Sequence, residues 1–292
     1  MARETKLLAD LRWPASVRLP VLLTFEHQSG EGAPLLPGER PNAMIGGAME
    51  YGARTGIWNI LELLDRFSVR STFFVSGSTA EKYPDAVRAA HAAGHEIAGM
   101  GHSFERVRTM ASERERAVVR RTANTLYDIC GAAVIGWRCP DYRVSPQTLD
   151  ILSQEGMKWD SSMLNDDLPC LFDCASGKIV ELPFTTSTAD KTFIGYPYPV
   201  RSGPDGLADI WASEFDVLYR ESIRAARFLI LSIQTWATGR PAPLRSLRRF
   251  IERTLQYNDV QFMRAGDLVA WCTAAATAQA DTALQKSGPF QR

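Results

Sequence analysis

The sequence predicts an α/β protein whose mainly parallel sheet or barrel is wrapped by helices. Three observations carry this. Apolar runs of strand length alternate with amphipathic runs of helix length along most of the chain. At 292 residues, with 45% hydrophobic and 23% charged side chains, the chain can bury a large core without disulfides or structural metal. No glycine-rich phosphate loop follows the first apolar strand, which argues against a nucleotide-binding variant of the same class.

The elements follow in order. Residues 21–25 are a buried strand, and residues 50–67 carry Ile57, Ile60, Leu61 and Leu64 at helical spacing. Residues 71–75 are the next strand, 83–93 a helix closed by Gly94, and 96–98 a short third strand. Residues 112–130 form a long charged helix, with Ser112 as N-cap and Gly131 as the residue that ends it. A strand at 133–137 leads to a helix at 145–155 closed by Gly156, then strands at 158–160 and 179–182. After a Gly/Pro-rich loop near 194–206 come a helix at 208–226, a strand at 228–234, a helix at 244–257, a strand at 260–263 and a helix from Ala265. One domain is expected over 17–272, with an N-terminal extension over 1–16. The Ala/Thr/Gln-rich tail 273–292 is expected to be frayed or packed against a neighbour.

Charge and cysteines narrow the functional classes. Lys plus Arg equals Asp plus Glu at 33 each, and no basic block offers a phosphate-binding stripe. Nucleic acid and anionic membrane surfaces are therefore not expected partners. No run of about 18 apolar residues is present, so no membrane span is expected. The five cysteines include no C-x-x-C pair; reduced thiols in a cytoplasm are the simplest reading, and Cys170 and Cys174 read as loop residues.

Chemistry in a parallel barrel sits at the C-terminal ends of strands. That singles out Glu26 and His27, residues 100–105, 138–142, 160–167 and 234–236. In this order the segments TFE (24–26), MEYGARTGIW (49–58), STFFV (71–75), AGHEIAGMGHS (93–103), GWRCPDYRVSPQTLDIL (136–152), DSSMLNDDLP (160–169), FDVLY (215–219) and LSIQTWATGRPAPLRSLRRFI (231–251) resemble the polysaccharide deacetylase superfamily. The closest likeness is to its allantoinase-like and cyclic-imide-hydrolase-like branch. The resemblance covers about residues 17–272 and implies a distorted (β/α) barrel with the site at its strand ends. Metal-dependent members use an Asp-Asp pair after the first strand, an H-x₃-H motif and a late histidine. Here Glu26 and His27 stand at the first pair, Met100 and Phe104 at the two histidines, and Gln234 at the last. Methionine and phenylalanine make no hard divalent site. The resemblance therefore implies a metal-independent member with no cofactor; part of that branch works without metal.

Each candidate carries two readings. Glu26 is either a general base whose pKa an apolar pocket raises, or a structural carboxylate paired with an arginine such as Arg138. His27 and His102 are either a proton relay or replacement metal site with Glu26, or loop histidines. Arg138 either holds an oxyanion or substrate carboxylate, or is buried in an ion pair with Asp160 or Glu26. His95 reads as structural, and two of Asp160, Asp166 and Asp167 are expected to be structural, Asp166 by capping a turn. Arg54 and Glu50 are expected at the pocket rim or a subunit contact. Met100, Phe104, Tyr142, Gln234 and Trp236 are expected to line the substrate pocket, made apolar by Met100, Phe104 and Trp236, with the late acid role either vacant or moved to His102 or Tyr142.

The resulting expectation is a metal-independent hydrolase of a non-peptide C–N bond, in a cyclic amide or imide, or of another activated acyl bond, in a small substrate. A lyase or isomerase on the same scaffold, and a pseudoenzyme that only binds, are the alternatives. A homo-oligomer, dimer or tetramer, is expected from the resemblance.

Overall fold

The computed structural model describes residues 3–7, 11–31, 43–194 and 204–286. Its strands are β1 (Arg3–Leu7), β2 (Leu19–His27), β3 (Thr72–Val75), β4 (Glu96–Gly99), β5 (Gly136–Trp137), β6 (Trp159–Asp160), β7 (Cys170–Cys174), β8 (Gly177–Glu181), β9 (Leu229–Gln234) and β10 (Val260–Phe262). They form one sheet in the order β1-β7-β8-β6-β5-β4-β3-β2-β10, with β9 also paired to β2. From β8 through to β9 and β10 the pairings are parallel; β1 and β8 both pair β7 antiparallel. The curled sheet is the distorted (β/α) barrel expected from the sequence.

The helices are α1 (Ala43–Tyr51), α2 (Ile57–Arg66), α3 (Gly77–Lys82), α4 (Pro84–Ala92), α5 (Ser112–Cys130), α6 (Thr148–Gln154), α7 (Asp190–Phe193), α8 (Pro204–Glu221), α9 (Thr235–Thr238), α10 (Pro241–Thr254) and α11 (Ala265–Lys286). The helix read from residue 50 begins earlier, at Ala43, and passes through a π-helical turn at Gly52–Gly56. The expected N-cap Ser112 is already inside α5 and Ala111 caps it without a side-chain bond, whereas Gly131 takes the left-handed φ of 68° expected of a terminating glycine. Arg3–Leu7 pairs with Cys170–Cys174, so both of those cysteines lie on a strand and not in a loop. The tail expected to fray continues α11 to Lys286.

Strand alternation sorts side chains onto two faces. Leu22, Phe74, Ala98, Met100, Trp159, Val180, Leu182 and Ile230 gather in one apolar cluster, the barrel interior. Leu23, Phe25, Phe73, Val75, Trp137, Leu231 and Ile233 pack in a second cluster with helix residues such as Ile57, Val119 and Phe250. At the start of the strands, Glu96 accepts hydrogen bonds from Thr72, Trp159 and the amide of Gly266, so the start of α11 closes that end. At the opposite end the interior turns polar.

Candidate functional site

Glu26 lies two residues beyond Thr24 and four beyond Leu22, so its carboxylate enters the barrel above the apolar layer. Its Oε1 accepts from Tyr142 OH at 2.9 Å, Ser232 Oγ at 2.9 Å and Arg138 Nη1 at 3.3 Å; Gln234 Nε2 donates to Oε2. Gln234 is held in turn: its Oε1 accepts from Gln28 Nε2 at 3.0 Å and Trp236 Nε1 at 3.2 Å. Burial pushes the Glu26 carboxyl up, but Lys191, Arg138 and the Gln234 and Ser232 donors outweigh it and hold its pKa below the ordinary range. This corrects the expected raised pKa: Glu26 is a permanently ionised carboxylate at neutral pH, and a weaker base.

Arg138 is the structural partner of Glu26, not a free anion receptor. It is 0% exposed. Its Nε donates to Ser161 O and its Nη2 to Ser161 Oγ, both at 2.8 Å, while Nη1 reaches Thr24, Glu26 and Ser232. Phe74 and Phe184 flank the guanidinium, with ring centroids at 4.0 and 4.5 Å. No open face remains to meet an oxyanion, so the functional reading of Arg138 gives way to the ion pair.

The relay of Glu26, His27 and His102 does not form. His27 follows Glu26 and so faces the helix layer, where its Nδ1 meets Thr235 Oγ1 at 3.2 Å. Burial lowers its pKa to about 4, only partly opposed by Glu31, so it is neutral. His102 packs on Gly77, where an added Cβ would lie 2.1 Å from its Nδ1, and its Nε2 faces Glu81 at 3.6 Å. Neither imidazole bonds Glu26.

Tyr142 and Gln234 bond Glu26 directly, and Trp236 bonds Gln234. Tyr142 reaches it because Asp141 and Tyr142 both take left-handed backbone, φ 54° and 58°. Two successive non-glycine residues there are strained, and such strain concentrates at functional sites. Burial and the neighbouring Glu26 carboxylate push the Tyr142 hydroxyl well up, so it stays protonated. Met100 is buried in the apolar layer below. Phe104 is half-buried on the loop after β4, again at positive φ, 62°. Arg54 is exposed on the π-helical turn, where its charge acts on Glu50, and Glu50 bonds Lys82 and Tyr83; neither joins the Glu26 network.

That turn instead supports the site from behind. A Cβ on Gly56 would meet Thr235 O at 2.3 Å, and one on Gly239 would meet Gly56 Cα at 2.4 Å. Only glycine allows this backbone approach, which seats α9 and the Thr235 hydroxyl that binds His27.

Sequence reasoning missed Ser232, Asp190 and Lys191. Ser232 shares the face of Gln234 two residues on, so the period-two pattern held its signal. Asp190 is buried and accepts from the Gln234 amide at 2.9 Å and Thr238 Oγ1 at 2.6 Å; burial pushes it up to about 7. Lys191, next in α7, sets its ammonium 3.9 Å from the Tyr142 ring centroid. Asp166 caps its turn as expected, accepting from the amides of Asp167 and Leu168.

The strand-end site and the curled sheet can now be set against known proteins. Residues 38–159 match the family model for polysaccharide deacetylase. Over those residues the chain is similar to the polysaccharide deacetylases. A peptidoglycan deacetylase of Helicobacter pylori is 22% identical over 248 residues, 75% of this chain and 84% of that protein. A solved Mycobacterium smegmatis structure assigned as a polysaccharide deacetylase superposes with a TM-score of 0.83 at 25% identity, covering 94% of this chain and 96% of that one. The crystal structure of Puue allantoinase gives 0.81 at 28%, covering 90% and 92%. The likenesses are thus to deacetylase-type hydrolases.

The divalent ion of metal-dependent relatives does not fit the donors present. Among the described residues no three His, Cys, Asp or Glu side chains converge on a point a metal could occupy. The reasons are local: His27 faces away from Glu26, His102 is pressed on Gly77, and Met100 offers a thioether inside the apolar layer. Among the described residues no helix is long and apolar enough to cross a membrane.

Proposed function

We propose that the chain hydrolyses a non-peptide C–N bond, that of a cyclic amide or imide, or another activated acyl bond, in a small and partly apolar substrate, without a divalent ion. One observation carries this: the ionised Glu26 carboxylate is committed on one oxygen and half-free on the other. Oε1 takes three donors and Oε2 takes one. A carboxylate oxygen has two lone pairs, so Oε2 retains room for one water.

Water on Oε2 attacks the substrate carbonyl and gives its proton to Glu26. Tyr142, always protonated and bonded to the same carboxylate, supplies the proton that the leaving nitrogen needs and regains it through Glu26. A carboxylate held below its ordinary pKa is a weak base, which suits a strained or activated acyl group. It suits proton abstraction from carbon less well, which separates this reading from a lyase or isomerase. The likeness to a chain named as an allantoinase supports a C–N bond as the target.

The test is ring opening of succinimide, hydantoin and phthalimide in heavy-oxygen water, with and without chelator, read by mass spectrometry. One labelled oxygen per product, turnover that survives chelation, and a loss of about 10²-fold in Tyr142→Phe are the expected results. Turnover undiminished in the double variant Glu26→Gln, Arg138→Met, which removes the buried pair together, would overturn the assignment. So would no ring opening of any of the three, which would leave a protein that only binds.

A further inference from the structure

Two cations and one carboxylate meet at the mouth of the barrel. Arg138 spends its charge on Glu26 and has no open face. Lys191 is different. It is half-buried, and among the described residues no carboxylate lies within ion-pair distance of its ammonium. Its neighbour Asp190 turns the other way, to the Gln234 amide and Thr238. The charge of Lys191, like that of Arg138, holds the Glu26 carboxyl down. Lys191 thus adds a positive charge beside the Glu26–Arg138 pair.

The ammonium is also aimed. It rests on the face of Tyr142, whose edge-to-face contact with Phe184 fixes the ring at 4.6 Å between centroids and whose hydroxyl is tied to Glu26. Rigid aromatic support holds a flexible lysine beside the ring whose hydroxyl bonds the carboxylate. The nearby cavity of about 450 Å³ behind Phe184 has the opposite character, being lined by Asp166, Asp167 and Glu214. That acidic lining disfavours an anion in the cavity.

We propose that Lys191 anchors a carboxylate carried by the substrate, so that the preferred substrate is an acidic cyclic amide or imide. This rests on the hydrolase reading for the word substrate; the anion site itself does not. Held between the Lys191 carboxylate anchor and the water on Glu26, the reacting carbonyl would be fixed at two points.

The experiment compares phthalimide with trimellitimide, the same ring bearing a carboxylate, by calorimetric binding to wild type, Lys191→Met and Lys191→Arg. Wild type should prefer the acid. That preference, the ratio of the two affinities, should fall about tenfold or more in Lys191→Met and with added salt, as loss of a charge-assisted bond predicts, and should be retained by Lys191→Arg. A ratio equal in Lys191→Met and wild type, no preference in wild type, or no binding of trimellitimide would each overturn the anchor. Lys191-dependent binding of the acid without ring opening keeps the anchor and removes the hydrolase. Ring opening of phthalimide with no acid preference does the reverse.

Discussion

Glu26, inside the barrel, and the Asp160–Glu181 pair, on the opposite face of the sheet, are almost equally buried at 3%, 0% and 0% exposure, yet they titrate in opposite directions. Desolvation alone pushes all three carboxyls up. Glu26 meets two cations and four donors and goes down. Asp160 and Glu181 face each other across paired strands, share a hydrogen bond and stay up, Glu181 the more. Glu181 Oε2 lacks a donor, which is resolved once it carries a proton that Asp160 accepts. The contrast teaches that in this fold burial alone does not fix a carboxylate's state; the cations and donors around it decide whether the upward push of burial is overcome.

The hardest way to break that contrast is Glu26→Gln alone. It strands the fully buried Arg138 charge, and a loss of about 3–5 kcal/mol in urea unfolding is expected, most of it restored by adding Arg138→Met. Next is Gly56→Ala, whose Cβ would collide with Thr235 O. Overpacking of this kind costs about 1–3 kcal/mol, and the displaced α9 should loosen the Gln234 and His27 contacts, lowering turnover with Glu26 itself intact.

Glu181→Gln sharpens the comparison through pH. The Glu26 pKa is lowered on folding, so its stabilisation is present above the ordinary carboxylate range and is lost as pH falls through its folded value. The pair is raised, so its contribution is full below that range and is lost as pH rises through the raised values. Glutamine in place of Glu181 keeps the donor to Asp160 and removes the titration. The fall of unfolding free energy with rising pH should flatten, leaving the steps of other raised carboxyls such as Asp190, near 7, and Glu96. Unchanged slope would mean that the two carboxyls do not share a proton. The smallest effect belongs to Arg54→Ala: exposed and outside the network, it should stay within about 0.5 kcal/mol of wild type and leave turnover unaltered.

Much of the fold was legible because strand runs such as β2 and β9 are continuous apolar stretches that only a buried parallel sheet explains. What sequence could not give was anything that depended on which distant side chains share a face. Alternation should have separated His27 from Glu26, since neighbours on a strand never point together. The direction of the Glu26 shift was hidden, because Ser232 and Lys191 lie more than 160 positions away in the chain. The tail, read as frayed or packed against a neighbour, is helical to Lys286 because Ala-rich sequence favours helix and Glu96 caps the first turn of α11. Arg54 and Glu50 of the EYGARTGIW segment were read as pocket rim or subunit contact, and the close backbone packing of its glycines was not foreseen.

Among the described residues the sheet never closes: β9 pairs with β2, and the amide of its last residue is taken by the Asp190 carboxylate in place of a further strand. In a closed barrel, strand number and stagger fix the bore. Here part of the wall is a side-chain clasp that a proton near neutrality can loosen, so hydrogen exchange at the Gln234 amide should report how freely the barrel breathes beside its own site.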